Sequence, residues 1–425
     1  MTLSLLLGAL VFNALSAPAP GWRERLSDAI RTATSKNPEL TRMDAEIRAA
    51  AERARQADAL PDPELSVGAM NVPVNLSFDE DPMTMKTVGL TQTLPPVGMR
   101  KSARLAAEAG ARAIEKEHMH HVYEVAARTG RAFFELAALD RKLVIARETE
   151  GLLADDTRVA EERYRVGRGV QADVLRASLE KTRLAREIAE MEGARRAAAA
   201  AFNVLLARPA DTAVPPIEAI DPDIALPERR ALLARALSES PILAHYDQEV
   251  ERAEQEARRA RLERRPMWSL SATYGERERR DDMVSATVGI SLPFLHPVRL
   301  SARATEAGAM LEAARAERSE VEYRLRGDVE SALARLESDR KQAVLYRETI
   351  LPQAEINDRA ARESYAVGSI DFATLVAASI DLQTFRSEYA DRLSAIGRDR
   401  ADLQTASGLP LLPGTPGMEH DHEAK

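Results

Sequence analysis

The chain repeats itself at nearly constant spacing, which limits it to architectures built twice. Leu40, Asp44, Glu46, Ala50, Ala54 and Arg55 reappear without gaps as Leu243, Asp247, Glu249, Ala253, Ala257 and Arg258, an offset of 203. Pro38 and Pro63 keep that offset with Pro241 and Pro266. Further on, Tyr164, Val166 and Gly167 answer Tyr365, Val367 and Gly368 at an offset of 201, and Pro209 and Pro410 close the copies at the same spacing. A repeated unit of roughly 180 residues means two structurally equivalent halves, so the unit is what must be explained.

Proline punctuates each unit. None occurs from Val97 to Arg208, from Val298 to Leu351, or from Gln353 to Leu409. These stretches are rich in Ala, Glu, Arg and Leu, all strong helix formers. Val122, Val125, Ala126, Thr129, Ala132, Phe133 and Leu136 fall on one helical face. Val321, Leu325, Val329, Ala332, Leu333 and Leu336 do the same in the second half. Each half has one recurring break, at Val166-Gly167-Arg168 and at Val367-Gly368-Ser369, where glycine supplies a left-handed stop. The pattern predicts two long helices reversing at each glycine. A helix from Lys101 to Arg165 at about 1.5 Å per residue is on the order of 100 Å long, too long for a globular core. It must pack beside similar helices as a coiled coil or tube. Gly151 and Pro352, at equivalent positions inside the two rods, predict a kink or local unwinding.

A different texture precedes each rod. Segments 63–69, 87–94, 266–274 and 284–292 alternate apolar residues with Ser, Thr or Gly, the period of a strand with one wet face. Each has about the length of a tilted membrane-spanning strand. Their connections carry the charge, at Asp79-Glu80-Asp81 and from Glu276 to Asp282. Two soluble hairpins would alternate in the same way. Export, strand length and exclusion of charge together favour membrane strands. Two hairpins cannot close a barrel, and an open edge in hydrocarbon is prohibitively costly. Several protomers must then pool their strands, and a trimer would supply twelve.

Composition narrows the function classes. With 59 basic and 67 acidic residues, the balance argues against a nucleic-acid partner. Cysteine is absent, which removes disulfides, thiolate metal sites and a Cys nucleophile. Leu3 to Val11 is a short apolar run, followed by small residues and prolines up to Pro20. It resembles a secretory signal, with Ala14-Leu15-Ser16 or Ala17-Pro18-Ala19 before the cut, and is too short to span a bilayer. No phosphate loop, paired-acid pattern or nucleophile with a base points to an enzyme, and no cofactor is expected. The layout divides as a signal peptide over 1–19, a first repeat over 20–209, a linker over 210–226, a second repeat over 227–410 and a disordered tail over 411–425.

The duplicated helix–hairpin–helix unit, the strand-then-basic-turn Leu94-Pro95-Pro96-Val97-Gly98-Met99-Arg100 and the paired Tyr-x-x-Gly turns resemble the outer-membrane efflux proteins, the TolC family, across nearly the full mature length. Leu351-Pro352-Gln353-Ala354, running on to Tyr365, Gly368, Asp371, Phe372 and Leu375, is similar to the heavy-metal branch that works with resistance-nodulation-division cation exporters. The resemblance implies a mostly α fold with a small β part. A homotrimer shares a transmembrane β-barrel, four strands per protomer, continuous with a long-helix α-barrel tunnel. It implies an outer-membrane exit duct of a Gram-negative bacterium, reaching into the periplasm and gated at its periplasmic tip. Its implied partners are a periplasmic adaptor protein, an inner-membrane pump and outer-membrane lipid. By that analogy Val166, Gly167, Arg168, Val367, Gly368 and Ser369 are adaptor-docking candidates, besides ending their helices. Asp173 and Tyr365 match the family's gate positions. The gate arginine falls on Ile370 and the acidic ring on Thr374 and Ala377, so Asp371 becomes the candidate for a displaced ring. Asp173 and Asp371 also suit the positive ends of their helices. Many metal-branch relatives begin with a lipidated cysteine, and a chain without cysteine has no such anchor.

Candidates for metal contact are sparse. His118 and His121 share a face of the first rod, and His420 and His422 sit in the tail. Imidazole suits soft and borderline cations, but neither pair is a closed ligand set. Met70, Met83 and Met85, near the first hairpin, would line the duct or face lipid. A multidrug or polypeptide duct of the same fold, or a periplasmic scaffold or adaptor, remains the alternative to metal export.

Overall fold

The computed structural model describes residues 21–74, 76, 78, 81–217, 220 and 228–417. The proposed signal over 1–19, His420 and His422 lie outside them. The two halves follow one plan, as the repeat requires. The first runs α1 (Trp22–Lys36), α2 (Pro38–Gln56), β1 (Glu64–Met70), β2 (Met85–Leu94), α3 (Met99–Arg165) and α4 (Gln171–Leu205). The second runs α5 (Arg229–Glu239), α6 (Pro241–Leu262), β3 (Trp268–Glu276), β4 (Met283–Ile290), α7 (Pro297–Leu345), a π-turn at Tyr346–Ile350, α8 (Leu351–Val367) and α9 (Phe372–Ser407). Pro38 and Pro241 occupy the first turns of α2 and α6, where no backbone N–H is needed.

At 67 residues and about 1.5 Å each, α3 is on the order of 100 Å long. It packs along α2, α4, α6 and α9, while α7 packs on α6 and α9. The helices are held by separate apolar clusters rather than one core. Phe133, Phe134 and Phe202 anchor the first with Leu26 and Ile30, and Val329, Leu333, Leu336 and Ile396 anchor the second. A third, around Phe372, Leu375 and Tyr365, sits beside the two turns.

The helix breaks differ between the halves. Helix α3 passes Gly151 without interruption, against the expected unwinding there. The second rod is interrupted just before Pro352 by the π-turn. The reason is chemical: proline lacks the N–H that would bond the carbonyl four residues back, whereas glycine keeps its N–H and only weakens the helix.

The strands form one antiparallel sheet in the order β1-β2-β3-β4. Opposed pairs run Val67–Val88–Tyr274–Val284 across the sheet on one face and Ser66–Gly89–Thr273–Ser285 on the other. Leu65, Leu90, Leu270, Val288 and Ile290 share the apolar face, and Thr91, Thr93, Ser269, Ser271 and Thr287 the polar one. Crowding is on the polar side. A Cβ added to Gly289 would lie 2.3 Å from the Ser269 Oγ, and one on Gly89 2.7 Å from the Ser66 Oγ. The apolar side chains stand exposed. The sheet is therefore amphipathic in the sense opposite to a soluble hairpin packed on a core. Among the described residues, no helix is long and apolar enough to cross a membrane.

Candidate functional site

The two glycine turns lie side by side at the ends of α3 and α8. Gly167 takes φ 74° and Gly368 φ 84°, the left-handed conformation that ends a helix. The same bonds close both: Arg168 N–H to the Arg163 carbonyl at 2.8 Å and Ser369 N–H to the Ser364 carbonyl at 2.9 Å. This geometry leaves Val166 and Val367 projecting into solvent with Arg168 and Ser369 exposed beside them. The six docking candidates thus share one exposed end of the molecule.

The gate candidates occupy three different environments. Tyr365 is only 2% exposed, its ring edge-on to Phe372 at 5.4 Å, and among the described residues its hydroxyl has no hydrogen-bond partner. Burial first, and the Asp173 carboxylate second, push its phenol above the usual range. Asp173 is therefore near Tyr365, but among the described residues no hydrogen bond joins the two. Asp371 is the N-cap of α9, accepting from the Thr374 N–H at 2.9 Å and the Thr374 hydroxyl at 2.6 Å. Those bonds hold its carboxyl below the ordinary range.

The profile of outer membrane efflux proteins matches residues 29–208 and again 232–409, covering most of the chain. The chain belongs to the outer membrane efflux protein family. No curated protein matches it by sequence. Solved structures of similar fold include CusC, at 19% identity over 93% of this chain and 96% of that one, with a TM-score of 0.79. The outer-membrane channel OprN shares 17% identity over 92% and 91% at a TM-score of 0.78. VceC from Vibrio cholerae shares 18% over 91% and 96% at 0.77.

In this efflux protein the residue that joins the two turns is Arg163, which sequence reasoning passed over. Its guanidinium lies over the Tyr365 ring, 4.6 Å from the centroid, and donates to the Tyr365 carbonyl and, at 3.4 Å, to the Arg168 carbonyl. Gly368 is needed here for a second reason: a Cβ would come within 2.9 Å of the Arg163 Nη2. A reciprocal link lies farther from the two turns. Arg362 of α8 donates to Asp156 of α3 at 2.5 Å, to Asp358 at 2.9 Å and to the Ser379 hydroxyl of α9 at 2.9 Å. One arginine thus reaches from each helix to the other. The only sequence signal was the spacing of Asp156 and Arg163, and of Asp358, Arg362 and Tyr365, along one face of each helix.

His118 and His121 of α3 face carboxylates of α2, and His121 also one of α3 itself. His118 Nε2 lies 3.4 Å from Asp44, and His121 Nδ1 lies 3.2 Å from Glu39 and from Glu124. Among the described residues no three His, Cys, Asp or Glu side chains are grouped to hold a metal ion.

Proposed function

We propose that the chain is one protomer of a trimeric exit duct in a tripartite efflux system, carrying heavy-metal cations through the periplasm and outer membrane. The observation that carries the reading is the open four-stranded sheet with one apolar and one Ser/Thr/Gly face. Its strands of 7 to 10 residues suit a tilted crossing, and its two free edges, β1 and β4, cannot stay unpaired in hydrocarbon. Pairing β4 of one copy with β1 of the next closes twelve strands at three copies. The apolar face then meets lipid and the crowded polar face lines the pore.

The α3/α4 and α8/α9 turns would form the periplasmic tip. Val166, Gly167, Arg168, Val367, Gly368 and Ser369 offer the adaptor an exposed surface there, and Asp173 and Tyr365 restrict the opening. The adaptor links the duct to an inner-membrane pump that supplies the energy. Similarity of the Tyr365–Leu375 turn to the metal branch supports metal cargo. Two experiments test the reading. The outer-membrane fraction should yield a trimer that resists SDS until heated; a monomer would remove the duct. A deletion strain should be hypersensitive to one group among Cu, Ag, Zn, Co and Cd. Sensitivity to dyes and detergents alone would keep the duct and remove the metal cargo.

A further inference from the structure

We propose that Met70, Met85 and Met283 form a soft-cation site on the pore face of the sheet, taking Cu(I) or Ag(I). The inference deepens the cargo reading and rests on the polar face lining the duct. Among the described strand residues, that face carries Ser, Thr and Gly apart from Glu64 at the helix-side end and three methionines at the opposite end. Met70 closes β1, while Met85 and Met283 open β2 and β4. All three therefore lie at the strand ends farthest from the helices, at the outer mouth.

The register brings them together. Met70 is opposed to Met85, and Met283 is opposed to Gly275. Gly275 gives up its side-chain space to Met85, since a Cβ there would lie 2.6 Å from the Met85 Sδ. Directly opposed residues have Cβ atoms roughly 5 Å apart. The Met85 thioether, lying over Gly275, is thus flanked by Met70 on one side and Met283 on the other. Met85 is 9% exposed, whereas Met70 and Met283 are 50% and 37% exposed, so the group is reachable from the pore.

The donor set decides the cation. Thioethers are soft, neutral and flexible, and suit Cu(I) and Ag(I) over Zn(II) or Co(II). Lys86 and Glu276, beside this group, stand opposite each other in the register on the other face of the sheet and bring it no charged ligand. A neutral, partly open set also holds an ion weakly enough to release it, which conduction requires.

The test uses the purified protein in detergent, titrated with Ag(I) and, for comparison, Zn(II), followed by calorimetry and silver X-ray absorption. The expected result is one sulfur-ligated Ag(I) per chain and no Zn(II) at that step. Met70→Leu/Met85→Leu/Met283→Leu should lose the sulfur-ligated step and keep the assembled protein. Gly275→Ala should weaken it by displacing the Met85 sulfur, and Met310→Leu, remote on α7, should leave it unchanged. If the triple variant fails to assemble, Met283→Leu alone, at the exposed sheet edge, must weaken the step. Silver bound only through nitrogen or oxygen, or a sulfur-ligated step surviving the triple variant, overturns the site. A deletion strain indifferent to copper and silver, beside intact sulfur ligation in vitro, would remove the cargo reading and leave the site standing.

Discussion

Asp399 shows how a single buried group sets a pH dependence. It is 7% exposed on α9, and its Oδ2 has no hydrogen-bond partner among the described residues. Burial and the neighbouring Asp339 push its carboxyl up to about 7, against partial relief from Arg335. Arg392 is engaged with Asp339 at 2.7 Å, and Arg131 with Asp402 at 2.8 Å, so neither is free to neutralise it. A carboxyl that holds its proton more tightly when folded stabilises the fold at low pH. That contribution is full below about 4 and is lost as pH rises through 7. Its span is on the order of 4 kcal/mol at about 1.4 kcal/mol per pH unit. Asp399→Asn, which mimics the protonated acid, should match the wild type near pH 4 and melt at a higher temperature near pH 8. Equal melting curves at pH 8 would contradict the assignment.

At the scale of elements, the seam between α3 and α8 is held by Arg163 and Arg362, and the two substitutions should read differently. Arg163 donates to backbone carbonyls and covers a ring, so Arg163→Ala strands no buried charge. A charged hydrogen bond of about 1.5–3 kcal/mol is lost, and the turns are freed from each other. The expected outcome is a roughly tenfold rise in open-channel conductance events in planar bilayers, with a small drop in melting temperature. Arg362→Ala instead leaves Asp156 and Asp358 buried without a cation, Asp358 keeping only the Ser379 hydroxyl, at a cost of about 3–5 kcal/mol. It should lower the melting temperature as well. A silent Arg163→Ala would show that the two turns are held by their apolar cluster alone.

For the whole molecule, the decisive property is which face of the sheet meets lipid. Val288 and Thr287 are adjacent on β4 and point to opposite faces. Val288→Arg should cost about 2–4 kcal/mol if it lies near the bilayer midplane, and deplete the protein from the outer membrane. Thr287→Arg should insert normally and alter ion selectivity. The reverse pattern would invert the sheet. The long helices matter at this scale as well. They are stabilised by narrow apolar stripes and by salt bridges such as Arg131–Asp402 and Arg318–Asp247, so their rigidity depends on lateral packing rather than a central core.

Much of this was determined by the sequence, because local chemistry suffices for it. The duplication set two equivalent halves, alanine-rich proline-free runs set the rods, and Gly167 and Gly368 set their ends. Alternation set four strands, though β1 ends at Met70 and β4 stops at Ile290, each within two residues of expectation. Gly151 and Pro352 occupy equivalent positions, and the structure interrupts the rod only at the proline, which lacks a backbone N–H. The pairing of Arg163 with Tyr365, 202 positions away, and of Arg362 with Asp156, 206 away, could not be read from local spacing. Nor could the meeting of Met70, Met85 and Met283, which depends on strand register and on the space left by Gly275. Periodicity is a property of neighbours along the chain. Contacts between distant residues depend on how the elements align, and that alignment is fixed only when the whole set packs together.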